Sequence, residues 1–337
     1  MDSVAPGMTR AAVWTGEGID IRELSLPAAG GNAALIRVRL ATVCGSDLHT
    51  IEGRRPGPCP SVLGHEAVGD VVMPGGHRGV TAGDRVVWSV TAICGRCARC
   101  RAGRTAKCET VRKVGHEPLA GDWPLSGSYA EHIVLPVGVT VERVPDGLVD
   151  AVAAPAACAT ATVMATLEAA GPLAGRRVLL VGAGMLGVTA AAACAEAGAH
   201  VQISDLDSAR VGTAGQFGAV PDGGGDVDVA IDFSGSSVAV ADALARLDIG
   251  GVMVLAGSVL PGPSLAVDPE SVVRRWLTIT GVHNYEPRHL RQALDFLHRT
   301  RAVRPWEGLV ALPVPLTSLA SVLGPAPGGT LRASVEP

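Results

Sequence analysis

Aromatic side chains are scarce in this 337-residue chain, at 3% of all residues. Its cores must therefore be packed with Ala, Val and Leu, which a hydrophobic content of 47% allows in a globular protein. The chain also has no excess of positive charge, because its formal net charge is −4. We therefore expect no nucleic acid and no anionic membrane as partner. No segment reaches about 18 uninterrupted apolar residues, so the sequence predicts no transmembrane span.

The first residues, "MDSVAPGMTR", do not have a charged start followed by an apolar run. We therefore expect no signal peptide and a cytoplasmic location. Thiols stay reduced in that compartment, so disulfides are disfavoured as an explanation of the eight cysteines.

The chain is long enough for two domains, and its pattern of hydrophobic residues and glycines changes near residue 155. Before that point, Val-rich stretches such as "LIRVRLATV", "AVGDVVM" and "GDRVVWSV" alternate as antiparallel strands do. After it, "RRVLLVGAGMLGVTAAAACAEAGAHVQISD" predicts a buried strand, a glycine turn, a helix and a second strand. Further strands, "VDVAIDFSG", "GGVMVLAGS" and "LTITGV", complete the pattern of a parallel sheet.

These two sequence patterns predict an α/β fold in three segments. A β-rich domain covers residues 1–157, and a doubly wound parallel-sheet domain covers 158–283. Residues 284–337 are too few to fold alone, so we expect them to return to the β-rich domain and pack there. Within this last segment, "PRHLRQALDFLHRTR" has leucines at helical spacing.

Half of the eight cysteines lie in "ICGRCARCRAGRTAKC", residues 93–108. The first two gaps leave two residues between sulfurs and the last leaves seven, so short turns can aim the thiolates at one point. Four thiolates at about 2.3 Å fill the tetrahedral shell of Zn²⁺ and leave no open position. The spacing therefore predicts a structural zinc lobe over about 93–109, with reduced loop cysteines as the alternative. The four ligands are Cys94, Cys97, Cys100 and Cys108.

Other metal-ligating residues stand in "CGSDLHT", "GHE" and "PAACATAT". Together with the four-cysteine lobe and the later "GAGMLG", these motifs occur in the order found in zinc-dependent medium-chain alcohol dehydrogenases, which the chain resembles over nearly its whole length. The resemblance implies a GroES-like β-rich catalytic domain, a Rossmann domain and two zinc ions per chain. It also implies a catalytic zinc with an open position, held by Cys44, His65 and Cys158.

The resemblance further assigns roles to the residues beside these ligands. Asp47 is expected to orient His65, as metal-bound histidines require. Glu66 is expected behind the metal. Ser46 is expected to bond the substrate oxygen, and His49 to pass the released proton to solvent.

The stretch "VLLVGAGMLG" matches G-x-G-x-x-G after a buried strand and before a helix, the context that gives this motif meaning. Asp205 lies 18 residues past the last glycine, where a carboxylate bonds the ribose hydroxyls and repels a 2′-phosphate. We therefore expect NAD rather than NADP. The resemblance places Arg210 beside the adenosine ribose and Thr162 at the nicotinamide. The glycines are Gly182, Gly184 and Gly187.

The stretch "CGSDLHTIEGRRPGPCPSVLGHE" is most similar to a branch of the family associated with phosphonate metabolism. Arg54 and Arg55 follow the proton-relay segment and suit the oxygens of a phosphonate or carboxylate. A solvated basic turn is the alternative. Trp123 is interpreted either as a cap of the pocket or as a surface aromatic packed on Pro124. His116 repeats the letters "GHE" and is counted as a pocket residue rather than a ligand.

The sequence thus predicts an enzyme that transfers hydride between NAD and an alcohol–aldehyde pair, with an anionic substrate as the finer hypothesis. A lyase, hydratase or epimerase that retains NAD and a non-catalytic relative are the alternatives. We expect a homo-oligomer, a dimer or a tetramer. Residues 219–226 are shorter than in relatives, so the cofactor domain is expected to be trimmed at one edge.

Overall fold

A computed structural model describes residues 7–27 and 31–337 of the chain. These residues form two compact units. The first comprises the residues up to Cys158 together with Glu286–Arg299 and Trp306–Pro337. The second comprises Ala159–Tyr285 and Thr300–Pro305.

The strands are numbered in chain order. They are β1 (Met8–Trp14), β2 (Ile19–Ser25), β3 (Ala34–Thr42), β4 (Ser61–Val62), β5 (Glu66–Met73), β6 (Arg85–Ala92), β7 (Arg112–Lys113), β8 (His132–Leu135), β9 (Val139–Arg143), β10 (Arg177–Val181), β11 (His200–Ser204), β12 (Val220–Pro221), β13 (Val227–Asp232), β14 (Leu247–Leu255), β15 (Thr278–Gly281), β16 (Val314–Pro315) and β17 (Ser334–Glu336).

The α-helices are α1 (Gly45–Ile51), α2 (Ala98–Arg101), α3 (Asp150–Ala153), α4 (Ala159–Ala170), α5 (Met185–Glu196), α6 (Ser208–Gly215), α7 (Ser237–Ala245), α8 (Pro269–Arg274) and α9 (Pro287–Thr300). Short 3₁₀ helices cover Thr105–Lys107, Ala154–Ala157, Trp306–Leu309, Leu316–Val322 and Pro327–Gly329.

The first unit is built on a sheet with the strand order β16-β17-β3-β5-β6-β7, to which β8 and β9 add further pairings. In β3 the sequence alternates, so that Arg37 and Arg39 are exposed while Ile36 and Val38 are buried. This period of two is what a strand with one buried face requires. A second sheet, β2-β1-β4, covers part of the core.

The end of the chain completes this unit. Strand β17 pairs antiparallel with β3, and β16 pairs parallel with β17. Just before β17, the Ala333 carbonyl accepts the Val43 N–H at 2.9 Å. The C-terminal strand therefore lies against the residues that lead into α1. The predicted helix over 287–301 is α9, whose Leu290 is fully buried.

The second unit is a six-stranded parallel sheet in the order β12-β11-β10-β13-β14-β15. The order reverses between β10 and β13, which is where open α/β sheets bind ligands. Residues 178–181 of β10 are all buried, as expected of a strand covered on both faces. The shortened segment forms only the two-residue edge strand β12. The predicted fold class, a β-rich domain with a doubly wound parallel-sheet domain, is confirmed.

Among the described residues, no single helix is long and apolar enough to cross a membrane. One bent pair, Asp150–Ala157 with Ala159–Ala170, passes the same test by combined length and composition.

Candidate active site and cofactor site

The four lobe cysteines converge as their spacing predicts. Their sulfurs all lie within 4.8 Å of one another. The Cys108 sulfur is 3.5 Å from that of Cys94 and 4.0 Å from that of Cys97. Sulfurs on a tetrahedral zinc are about 3.8 Å apart, because each Zn–S bond is about 2.3 Å. The donor set therefore fits a closed zinc site.

Backbone N–H groups of the lobe also point at these sulfurs. Cys97 donates to the Cys94 sulfur at 3.4 Å, and Cys100 donates to the Cys97 sulfur at 3.4 Å. Backbone hydrogen bonds from Arg96 and Cys97 lower the pKa of Cys94 to about 6. Burial and the hydrogen bond with Cys97 instead raise the pKa of Cys100 to about 12. The turn thus favours thiolate at some of the positions where a metal needs it.

A second donor set combines three separate elements of the first unit. Cys44 precedes α1, His65 precedes β5, and Cys158 follows the 3₁₀ turn Ala154–Ala157. Their ligand atoms lie within 4.8 Å of one another. Cys44 and His65 are only 6% and 3% exposed. Among the described residues no fourth protein ligand joins these two thiols and the imidazole, which is the donor set of a catalytic zinc.

His65 is held by a buried hydrogen-bond chain. Its Nδ1 lies 3.2 Å from Asp47 Oδ1, which leaves Nε2 for a metal. The other Asp47 oxygen accepts the Cys44 N–H at 3.1 Å and the Tyr129 hydroxyl at 3.0 Å. Burial opposes a charge on His65, but Asp47 and Cys44 raise its pKa well above the ordinary value. The predicted contact between Asp47 and His65 is thus present, while Tyr129 was not predicted.

Glu66 is fully buried and contacts a residue that no motif indicated. Arg332 donates from Nε to Glu66 Oε2 at 2.8 Å and from Nη2 to Oε1 at 3.2 Å. Its Nη2 also lies 3.7 Å from the Cys44 sulfur. Thr42 adds a hydroxyl bond to Oε2 at 2.9 Å. A buried cation thereby joins the carboxylate to a zinc ligand.

The two thiols of this set have opposite pKa shifts. The hydrogen bond from Cys158, followed by the charge of Arg332, lowers the pKa of Cys44 well below the ordinary value. The hydrogen bond with Cys44 and burial raise the pKa of Cys158 well above it. The charge of Arg332 therefore favours the ionised form of Cys44.

The predicted relay residues follow on α1. Ser46 and His49 are both partly exposed. The Nδ1 atom of His49 is buried and has no hydrogen-bond partner among the described residues. Burial, with the charge of Arg54, lowers the pKa of His49. A neutral imidazole with one unbonded nitrogen is able to accept a proton.

The two candidate substrate arginines differ in surroundings. The Arg54 guanidinium forms an ion pair with Glu52, and its side chain is 53% exposed. Arg55 is partly buried, and its backbone N–H donates to the His49 carbonyl at 3.0 Å. In the part of the chain that the structure describes, its guanidinium has no acidic partner.

Two other sequence-based interpretations have clear outcomes. Trp123 is 2% exposed, packs in the core of the first unit, and donates from Nε1 to the Val134 carbonyl at 2.6 Å. The interpretation as a surface aromatic is therefore wrong. His116 lies against a zinc ligand, since its ring centroid is 5.4 Å from that of His65. Burial and the charge of His65 lower the pKa of His116 to about 3.

The glycine motif lies between β10 and α5 in the second unit. Gly182 has φ +99, and Gly187 has no room for a side chain because a Cβ would lie 1.8 Å from the Gly182 carbonyl. A Cβ at Gly184 would meet nothing within 4 Å, so the backbone there is open to a ligand. Helix α5 begins directly after it. This turn can cradle a pyrophosphate at a helix N-terminus.

Asp205 ends β11 at the same edge of the sheet. Its Oδ2 accepts the Ala183 N–H at 2.6 Å, which fixes the carboxylate beside the glycine turn. Arg210 lies one turn into α6 and forms an ion pair with Asp207 at 3.5 Å. Thr162 is partly buried on α4.

Sequence reasoning did not single out Asp232, which ends β13. This fully buried carboxylate accepts the N–H and hydroxyl of Ser234, both at 2.8 Å, and the Ser258 hydroxyl at 3.0 Å. A Cβ on Gly182 would meet the Ser234 N at 3.0 Å, so this turn packs on the glycine turn. An acidic residue ending a buried strand in "IDFSG" was the available signal.

A β-rich unit with one closed and one open zinc donor set, on a chain that also has a dinucleotide-binding sheet, defines a zinc-dependent dehydrogenase. Comparison with known proteins agrees. Residues 30–146 match the alcohol dehydrogenase GroES-like domain family, and residues 186–299 match the zinc-binding dehydrogenase family.

The chain is also similar to individual proteins of known name or structure. L-threonine 3-dehydrogenase of Edwardsiella ictaluri is 33% identical over 295 residues, which cover 80% of this chain and 82% of that protein. An alcohol dehydrogenase from Thermotoga maritima has the same fold, with a TM-score of 0.90 and 23% identity over 98% of this chain and 99% of its own. A protein of Sinorhizobium meliloti, described as a zinc-binding dehydrogenase and bound to NADP, is 26% identical with a TM-score of 0.86. It covers 98% of this chain and 99% of its own.

The chain therefore belongs to the zinc-dependent medium-chain alcohol dehydrogenase family. The predicted family, the GroES-like domain and the Rossmann domain are confirmed.

Proposed function

We propose that this protein is an NAD-dependent zinc dehydrogenase that interconverts an alcohol and the corresponding carbonyl compound. The observation that carries the proposal is the buried set of Cys44, His65 and Cys158, with Asp47 fixing the histidine. A purely structural zinc site would have four protein ligands and no open position. A family member without catalytic activity would not need the three ligands to be intact.

The residues around the donor set suit the removal of a proton from a hydroxyl. Zinc, when bound, acts as a Lewis acid on the substrate oxygen and makes its hydroxyl more acidic. Ser46 lies on α1, two residues after Cys44, and we propose that it hydrogen-bonds that hydroxyl. His49, one turn further along the helix, then takes the proton toward solvent.

Asp205 supports NAD as the cofactor. Its carboxylate is held at the edge of the glycine turn by the Ala183 N–H. A fixed negative charge there accepts bonds from ribose hydroxyls and repels a 2′-phosphate. Although the Sinorhizobium meliloti protein binds NADP, the local charge of this chain favours NAD.

For the substrate, we propose a hydroxyl compound with an anionic group. The curated relatives are named for L-threonine, which carries a carboxylate near its hydroxyl. Arg55 is the better candidate for binding the anion, because its charge has no acidic partner in the described structure, whereas Arg54 is paired with Glu52. A phosphonate is the other anion that suits a guanidinium.

We also propose that the protein is a homo-oligomer. Within the described structure, strand β15 ends the parallel sheet and has no further strand on its outer side, so a second copy can extend the sheet there. Large apolar side chains beside this edge are exposed, with Trp276 at 79%, Ile249 at 73% and Val273 at 71%. Sedimentation analysis tests this, and a monomer at micromolar concentration would contradict it.

The activity is tested by following absorbance at 340 nm while zinc-loaded enzyme is mixed with NAD and a panel of alcohols, L-threonine and anionic hydroxy compounds included. Net NADH formation is expected with at least one of them. The reverse reaction is followed with NADH and aldehydes or ketones. A conversion of substrate without net NADH change would instead identify an enzyme that oxidises its substrate transiently.

A further inference from the structure

The turn that follows β7 lies against the zinc donor set. Gly115 packs so tightly on Gly64 that a Cβ would lie 2.5 Å from the Gly64 carbonyl. His116, the next residue, has its ring 5.4 Å from that of the ligand His65. The His116 N–H donates to the Lys113 carbonyl at 3.2 Å, so Lys113 belongs to the same turn.

Lys113 is partly buried. Its ammonium has no hydrogen-bond or ion-pair partner among the described residues, 7–27 and 31–337. The neighbouring Arg112 differs, because Glu117 and Asp122 neutralise it at 3.1 and 2.8 Å. Uncompensated positive charge that is partly removed from water is costly unless an anion joins it. An anionic ligand bound to Lys113 would therefore stabilise its charge.

Arg55 is a second cation without an acidic partner among the described residues, and its backbone N–H donates to the carbonyl of the relay residue His49 at 3.0 Å. After burial, the charge of Arg55 is the next cause that lowers the pKa of Lys113, while the Cys158 charge opposes the shift. The charge of Arg55 thus acts on Lys113, and the turn that holds Lys113 contacts the donor set through His116.

We infer that Lys113 and Arg55 together form an oxyanion subsite that binds the carboxylate or phosphonate of the substrate next to the catalytic zinc. His116 forms the wall between this subsite and His65. The inference rests on the proposed function for its substrate, but the subsite itself is a statement about anion binding. It makes Lys113 a specificity-determining residue, which no motif indicated.

The first test measures binding rather than turnover. Methylphosphonate and acetate are titrated calorimetrically into the zinc- and NAD-loaded enzyme at low ionic strength. Lys113→Met is expected to weaken binding of the preferred anion about tenfold to a hundredfold, the loss of one charged hydrogen bond. Lys113→Arg keeps the positive charge and is expected to stay within about threefold of the wild type.

Arg54→Gln is the matched control, because it removes an arginine that already has a partner. We expect it to bind the anions as the wild type does. If Lys113→Met does not fold, Lys113→Gln and Arg55→Gln take its place. Absence of anion binding by the wild type, or unchanged binding after Lys113 loses its charge, overturns the inference.

The second test is kinetic and uses 3-hydroxybutanoate and its neutral amide. Lys113→Met is expected to raise KM for the acid about tenfold or more, with little change for the amide and a smaller change in kcat. An equal loss for both compounds overturns the subsite. If no alcohol yields NADH although methylphosphonate binding still depends on Lys113, the proposed reaction is wrong and the subsite is retained.

Discussion

The two zinc donor sets of this chain are built in opposite ways. The lobe takes its four cysteines from one stretch, residues 94–108, and two of those cysteines are buried. The other set takes Cys44, His65 and Cys158 from three distant segments and surrounds them with buried charges. A site formed by one turn can bind metal locally, whereas a site formed by distant segments exists only in the folded protein. We therefore expect the closed site to stabilise the fold and the open, buried site to serve chemistry.

The largest expected effect tests the open set. Cys44→Ser is expected to lower kcat/KM by about 10⁴-fold or more, because the alcohol loses the Lewis acid that activates its hydroxyl. Circular dichroism and the melting temperature are expected to change little. Metal analysis should show about one zinc per chain instead of two. Turnover close to that of the wild type would contradict the assignment.

Cys94→Ser tests the closed set and should lower stability more than catalysis. We expect loss of one zinc and at least about 3 kcal/mol of unfolding free energy, because the binding free energy of a structural zinc belongs to the folding free energy. Any activity that remains should have normal KM values. The free energy is measured by urea unfolding. A stable variant with one zinc and full activity would show that the lobe is not structural.

The buried ion pair of Arg332 and Glu66 distinguishes the open set from the lobe, because no buried ion pair contacts the lobe cysteines in the described structure. Arg332→Leu leaves Glu66 buried without its cation and is expected to cost about 3 kcal/mol in urea unfolding. The control is Arg332→Leu combined with Glu66→Leu, which removes both charges and is expected to recover most of that loss. A single variant as stable as the wild type would mean that the pair is unimportant.

The cofactor site resembles the lobe, because its glycines and Asp205 lie within one short stretch. Asp205→Ala is expected to reduce the preference for NAD over NADP by about tenfold, which corresponds to about 1.4 kcal/mol. The measurement is the ratio of kcat/KM with the two cofactors. An unchanged ratio would assign the discrimination to other residues.

The smallest expected effect concerns the trimmed edge of the cofactor sheet. Arg246 bonds both oxygens of Asp222 at 2.7 and 2.8 Å and lowers the pKa of that carboxyl below the ordinary value. A lowered pKa in the folded state adds stability above the unfolded pKa, which is lost as the pH falls through the folded pKa. Asp222→Asn is therefore expected to cost about 0.2–1 kcal/mol at pH 7, as a partly exposed pair does, and nothing at low pH.

Features carried by contiguous residues could be predicted. The alternation in β3, the helical leucines of α9, the glycine turn and the convergence of the lobe cysteines all follow from short-range geometry. The family resemblance supplied the open donor set, and the structure brings its members together. Trp123 shows the limit, because its burial depends on how β8 and its neighbours pack.

Short-range patterns in the sequence account for the predicted strands, the predicted helices and the two local ligand turns, because these depend on neighbours a few residues apart. What surrounds the reactive atoms follows instead from the fold. Tyr129, Arg332 and Lys113 lie far in sequence from the residues they influence, and nothing in their own segments marks them. The reason is physical: burial and the partners of a charge are set by long-range packing, whereas spacing along the chain sets only local geometry.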